Sequence, residues 1–144
     1  MSRLSKTAMT LGAAMLVVFA AEAQMNRSPS PEQARVYIMA PADGAVVPST
    51  FVVEFGLSGM GVAPAGMERA NTGHHHLLVD GVELPDLNSP LGDAVMHFGG
   101  GQTQTRLTLP PGEHTLQLFF ADYLHVPHNP PLVSEPITVT VVDD

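Results

Sequence analysis

The chain is interrupted at short intervals by proline and glycine, and this feature constrains its fold more than any other. There are 13 glycines and 13 prolines in 144 residues, and the stretches between them show no helical period. Several alternate apolar and polar residues, as half-buried strands do. The clearest examples are residues 102–109 and 114–121, which are joined by a Pro-Pro-Gly turn. This pattern predicts an all-β chain.

Six stretches are predicted to be strands, from their β-forming residues or from this alternation. They are residues 35–39, 51–57, 75–79, 102–109, 114–121 and 136–142. An irregular crossing or a short edge strand is expected at residues 84–94. Six or seven short strands over roughly 100 residues predict an immunoglobulin-like or fibronectin-like antiparallel β-sandwich of about seven strands. An OB-type or jelly-roll barrel is the alternative fold.

The first 23 residues have the pattern of a signal peptide. Arg3 and Lys6 supply a positive start, residues 9–20 are apolar, and Ala21-Glu22-Ala23 fits a cleavage site. The apolar run is shorter than the roughly 20 residues that a membrane span needs, so an uncleaved anchor is the weaker interpretation. We therefore expect a periplasmic or secreted protein with no membrane span after cleavage. The predicted division is a signal peptide at 1–23, a flexible leader at 24–34 and a β-sandwich domain at 35–144.

The charge and the absence of cysteine exclude several classes of partner. The formal net charge is −8 with histidine neutral, and signal cleavage removes two of the six basic residues. Such a surface repels nucleic acid and anionic lipid, so we expect neither as a partner. Without cysteine there are no disulfides, no thiolate metal ligands and no cysteine nucleophile. A small cation is a more compatible ligand for a chain of this charge.

All seven histidines lie between residues 74 and 128. In an antiparallel sandwich, the connections before strand 75–79, before strand 102–109 and after strand 114–121 lie at the same end. His114 belongs to the opposite end, and we interpret it as a structural or surface residue. The other six histidines share one end with three methionines: His74, His75, His76, His97, His125 and His128, with Met60, Met67 and Met96.

The three consecutive histidines cannot all point the same way. Successive side chains of a strand point to opposite faces, so His74 and His76 share a side and His75 takes the other. If Leu77 faces the core, His75 points inward with it. If Leu78 faces the core, the assignment reverses, and both possibilities remain open at this point.

Imidazole ligands without thiolates, near thioethers, suit copper, zinc or nickel, and a thioether favours Cu(I). No oxygen-rich calcium loop is present in the sequence. We therefore predict that this end binds a transition-metal ion, copper or zinc, with copper slightly ahead. Binding should weaken as the imidazoles protonate near pH 6.5. The predicted ligands are His74, His76, His97, His125 and His128.

Two other classes of function are compatible with the sequence. One is a protein-interaction or structural module of the cell envelope, in which Tyr123, Leu124 and the proline-rich loop contact another envelope protein. The other is a hydrolase with a histidine base oriented by Asp80, Asp93 or Asp122. No G-x-S-x-G or H-E-x-x-H motif is present. We therefore expect no enzymatic activity.

Four motifs together resemble a known family. They are GHHHLLVDG, HFGGGQTQTRLTLPPGEHTLQL, HVPHNPP and VSEPITVTV. The chain is similar, from Arg35 to Val142, to the bacterial exported family called domain of unknown function 4399. The resemblance implies an exported β-domain whose motifs contain all seven histidines. It does not indicate which activity, if any, the domain has.

Overall fold

The computed structural model describes residues 26–81 and 83–143. The predicted signal peptide and the first two leader residues lie outside these ranges. Within them the chain forms strands and loops and no helix. The strands are β1 (Arg35–Ala40), β2 (Val46–Pro48), β3 (Thr50–Ser58), β4 (Gly61–Val62), β5 (Thr72–Val79), β6 (Met96–His97), β7 (Gln104–Thr108), β8 (Gly112–Ala121), β9 (Pro127–Val133) and β10 (Ile137–Val142).

The strands build two sheets. The smaller sheet has the order β1-β3-β7, and the larger has the order β2-β10-β8-β5-β4, with β6 on β5 and β9 on β8. The pairs β1-β3, β3-β7, β5-β8 and β8-β10 are antiparallel, whereas β2 runs parallel to β10. The two sheets share one apolar core. The predicted all-β sandwich is confirmed, and all six predicted strands are present.

The main core lies between the sheets. Its members point inward from alternate positions of the strands, as the alternating sequence predicts. Full burial of one such side chain stabilises the fold by about 1.5 to 3 kcal/mol. The least exposed of them are Val53, Leu77, Leu116, Leu118, Phe120 and Val139.

A second, smaller apolar cluster lies on the outer face of the larger sheet. Leu78 and Phe119 contribute to it from β5 and β8, and Leu91 and Val95 cover them from the connection that leads to β6. That connection is irregular, one of the two forms expected for residues 84–94. Because it covers the outer face, β5 is buried on both sides.

The sequence predicts a loop at residues 122–131, and β9 includes the second half of it. Its prolines carry no N–H, and a strand rich in proline is compatible only with a sheet edge. β9 occupies such an edge and pairs with the second half of β8. The segment after His125 is therefore held to the sheet by β8.

The described part of the expected leader bonds to the start of β9. The Arg27 Nε donates to the Pro127 carbonyl at 2.9 Å, and the Asn129 amide donates to the Ser28 carbonyl at 2.9 Å. Residues 27–30 thus lie along the segment that follows His125. No helix in the described ranges is long and apolar enough to cross a membrane.

Candidate metal centre

β5 supplies two histidines to the outer face of the larger sheet. Leu77 belongs to the main core, so alternation sends His75 inward and sends His74 and His76 outward. The rings of His74 and His76 are neighbours, with centroids 4.5 Å apart. The structure therefore decides between the two orientations that the sequence left open. All three histidines are 0% exposed.

A glycine allows β5 to pass the neighbouring strands closely. A Cβ added at Gly73 would lie 2.2 Å from the Ala121 carbonyl oxygen and 2.9 Å from Cε1 of His128. Both distances are far inside van der Waals contact. Close packing thus requires a glycine at position 73, and its absence of a side chain allows β5 to place His74 directly beside β8.

The third histidine, His125, stands on a tight loop that Asp122 organises. The Asp122 Oδ1 accepts from the amides of Leu124 at 2.9 Å and Val126 at 3.0 Å, and its Oδ2 accepts from the Ser28 hydroxyl at 2.7 Å. His125 itself has a φ of 64°, a left-handed conformation that is uncommon for a residue with a Cβ. Strained backbone of this kind is found preferentially at functional sites.

The fourth histidine, His97, lies on β6 directly opposite His76. Its Nε2 donates to the carbonyl oxygen of Gly92 at 3.0 Å. A carbonyl can only accept, so Nε2 carries the hydrogen and Nδ1 of the neutral ring is a bare lone pair. That lone pair is directed at the Nδ1 of His125, and His97 is exposed to solvent.

The four rings converge on one nitrogen. The Nδ1 of His125 lies 3.0 Å from the Nε2 of His74, 3.2 Å from the Nε2 of His76 and 3.2 Å from the Nδ1 of His97. One nitrogen from each of His74, His76 and His125 lies within 4.8 Å of the other two. Such spacing is compatible with a single ion, because nitrogens 2.0 to 2.1 Å from a tetrahedral zinc lie about 3.3 to 3.4 Å apart.

The site strongly favours neutral rings. Burial lowers the pKa of His74 to about 4 and the pKa of His76 to about 2, and repulsion from neighbouring imidazoles adds to both shifts. Burial also lowers the pKa of His125, again with a contribution from His97. Three rings of the cluster therefore keep lone pairs available below the pH at which a solvated imidazole takes up a proton.

The structure does not bring His128 into this cluster. Its Nε2 donates to the Thr72 carbonyl at 3.1 Å, and its Nδ1 faces the Phe120 carbonyl oxygen at 3.5 Å. Both nitrogens thus face carbonyl oxygens. Of the five predicted ligands, His74, His76 and His125 form a triad, His97 joins it through its contact with His125, and His128 is buried beside them.

The three methionines differ in their burial and in the face to which they point. Met60 packs against the main core, and Met67 is 55% exposed. Met96 is paired with Leu77 on β5, whereas its neighbour His97 is paired with His76, so Met96 points to the opposite face. The contacts that define the centre are all between imidazoles.

Sequence reasoning missed the residues that orient the ligands. Asp122 was considered only as the partner of a catalytic base, although an aspartate at the start of a short loop is a recognised turn former. That signal was available in the Asp-Tyr-Leu-His sequence. The Gly92 carbonyl and the leader residue Ser28 had no comparable signal, because backbone groups and long-range partners are set by the fold.

The fold and the centre together define the class of the protein. It is a β-sandwich domain with a buried histidine triad that could bind a metal. Within that class, the chain belongs to the family described as Domain of unknown function (DUF4399), which matches residues 53–142. The family suggested by the sequence motifs is thereby confirmed. No curated protein matches the chain.

Two solved structures are similar in part. An endo-β-1,4-mannanase from Thermotoga petrophila aligns with a TM-score of 0.46 and 19% identity over 78% of this chain and 20% of the mannanase. A lytic polysaccharide monooxygenase from Jonesia denitrificans aligns with a TM-score of 0.34 and 19% identity over 72% of this chain and 60% of the monooxygenase. The chain thus spans a fifth of the first protein and three fifths of the second. Likenesses at these TM-scores carry no information on activity.

Proposed function

We propose that the protein binds one transition-metal ion through His74, His76, His97 and His125. The observation that carries this proposal is the set of three short contacts to the Nδ1 of His125. A ring nitrogen has either one hydrogen or one lone pair. At most one of the three contacts can therefore be a well-formed hydrogen bond, which leaves two of the four ring nitrogens without a partner in the cluster. A cation bound by the lone pairs of the four neutral rings would satisfy all four nitrogens.

Copper and zinc are the ions that this donor set favours. Neutral imidazole suits zinc, copper and nickel, and the donor set that we propose contains no thioether, which would single out Cu(I). Among divalent ions, copper binds nitrogen ligands most tightly. We propose that the ion is copper or zinc, taken up by an exported protein in the periplasm or outside the cell.

A binding role, and not catalysis, is our proposal. His114 and Asp80 form the hydrogen-bonded pair that most resembles a histidine base with its orienting carboxylate, at 2.6 Å. The other nitrogen of His114 donates to the Pro110 carbonyl at 2.8 Å. Both nitrogens of His114 thus face acceptors within the protein and neither is directed at a substrate, which argues against the hydrolase alternative.

The three consecutive histidines offer a matched test. We expect His74→Leu and His76→Leu each to abolish stoichiometric binding of Cu²⁺ and Zn²⁺ in calorimetry of the mature chain at pH 7. His75→Leu removes the ring between them and should leave both binding curves unchanged, because His75 faces the main core. Circular dichroism and denaturant unfolding of each variant confirm that the fold is intact.

The result that contradicts the proposal is the absence of a one-to-one complex in the wild-type chain with either ion. Equal binding by wild type, His74→Leu and His76→Leu would contradict it as well, since the ion would then be bound elsewhere. In either case the interaction-module alternative would take its place.

A further inference from the structure

The four histidines are not equivalent. His74 and His76 are 0% exposed, and the main chain of β5 that carries them is bonded to β8 along its length. His125 is partly buried. His97, in contrast, is exposed and stands on a strand of two residues at the rim of the site. The centre therefore consists of two buried ligands, one partly buried ligand and one exposed ligand, and we call the first three, His74, His76 and His125, the sheltered set.

The main chain at His97 is anchored although its ring is exposed. The amide of the next residue, Phe98, donates to the His75 carbonyl at 3.1 Å. The Phe98 ring packs on Phe55 with centroids 4.8 Å apart. The backbone is thus fixed, and departure of the ring from the ion requires only side-chain rotation and loss of the hydrogen bond to the Gly92 carbonyl.

We propose that His97 is the exchangeable ligand of the centre, and that the ion leaves or enters when an external neutral donor, an imidazole or a thioether, replaces it. This inference rests on the proposed metal-binding function. A neutral donor is favoured over a carboxylate or thiolate because the chain carries a formal net charge of −8, which repels an anion. A centre with three retained ligands and one replaceable ligand is suited to transferring its ion to an acceptor.

The test uses the mature chain loaded with one equivalent of Cu²⁺. His97→Ala should retain one bound ion but transfer it to an excess of a soluble chelator at least about tenfold faster than wild type, since affinity differences lie mainly in dissociation rates. Added imidazole should return the copper electron paramagnetic resonance spectrum of His97→Ala to that of wild type. His76→Leu should lose the ion, and His114→Gln should behave as wild type does.

Two outcomes would overturn this inference while leaving metal binding intact. A loss of affinity in His97→Ala as complete as that in His76→Leu would make His97 an equal member of the sheltered set. An unchanged spectrum and transfer rate in His97→Ala would show that His97 is not a ligand. Failure of the proposed function itself is distinguishable, because the wild-type chain would then bind no Cu²⁺.

Discussion

His75 is a buried imidazole whose two nitrogens have no hydrogen-bond partner among the described residues. Its ring lies between Phe55 and Phe120, with centroid distances of 5.1 and 5.0 Å. A neutral imidazole must still keep one N–H, and a buried unpaired donor costs about 1 to 3 kcal/mol. Burial lowers the pKa of His75 to about 4, and the neighbouring His74 contributes. His75 therefore packs as a core side chain, although it has two polar ring nitrogens.

We expect His75→Leu to raise the free energy of unfolding of the metal-free chain by about 1 kcal/mol at pH 7, because it removes the unpaired donor and keeps a similar volume. Urea unfolding of both proteins at pH 7 measures the difference. A clear loss of stability would show instead that the contacts of the imidazole with the two phenylalanine rings outweigh its unpaired nitrogens.

His114 has the opposite character. Its Nδ1 lies against the Asp80 carboxylate and its Nε2 against the Pro110 carbonyl, so both nitrogens face acceptors and the protonated ring satisfies both. The hydrogen bond to Asp80 raises the pKa of His114, and the Pro110 carbonyl adds to the effect. A raised pKa means that the folded chain binds the proton more tightly than the unfolded chain does.

The stabilisation by His114 is therefore complete below pH 6.5 and is lost as the pH rises through the raised pKa. We expect the difference in unfolding free energy between wild type and His114→Gln to shrink when metal-free samples are compared from pH 6 to pH 9. A difference that stays constant over this range would show that the two hydrogen bonds do not depend on the charge of the ring.

At the scale of the element, the loop from Asp122 to Val126 fixes the position of His125. One carboxylate accepts two amides of the loop and the hydroxyl of Ser28. The loop is closed further by the amide of His125, which donates to the Asp122 carbonyl at 2.9 Å. The left-handed backbone at His125 is maintained by these bonds.

We expect Asp122→Ala to weaken Cu²⁺ binding by about 10- to 100-fold, the usual effect of removing a group that orients a metal ligand. Asp122→Asn keeps an oxygen for the two amides and should recover most of the affinity. Competition titration with a chelator of known affinity measures both variants. Equal losses in the two would contradict the orienting role of the oxygen that accepts the loop amides.

At the scale of the whole molecule, burial in the sandwich disfavours protonation of the histidines that we propose as metal ligands. Burial lowers the pKa of His74 to about 4 and the pKa of His76 to about 2. The sequence alone predicts that metal binding weakens near pH 6.5, the pKa of a solvated imidazole. Depressed pKa values add stability that is complete above pH 6.5 and is lost as the pH falls through the folded values. Acid should therefore weaken the fold and the metal site over the same interval.

We expect the loaded chain to keep its ion at pH 5 and to release it near pH 4. A synthetic peptide of residues 73–81 is the matched control, since its three solvated histidines should release the ion as the pH passes about 6.5. Metal content after desalting at pH 7, 6, 5 and 4 measures both. Release from chain and peptide at the same pH would contradict the effect of burial.

Much of the fold could be predicted from local pattern. The alternation of apolar and polar residues in 102–109 and 114–121 predicts two strands with one buried face. These stretches form β7 and β8. The sequence does not predict β9, because this strand lies at the edge of a sheet. Prolines are tolerated there, and its residues show no alternation of apolar and polar side chains. The covering of the outer face by Leu91 and Val95 was missed as well, because contacts between distant segments have no local signature.

The amino-acid order alone establishes that His74 and His76 share a face and that His75 does not, because successive strand residues point to opposite sides. Which face they share depends on Leu77 entering the main core, a matter of packing between sheets. The same holds for His128, which the sequence places beside His125 and the fold assigns to the carbonyls of Thr72 and Phe120. Proximity along a chain constrains where a side chain can reach, but its hydrogen-bond partners come from segments that only folding brings near.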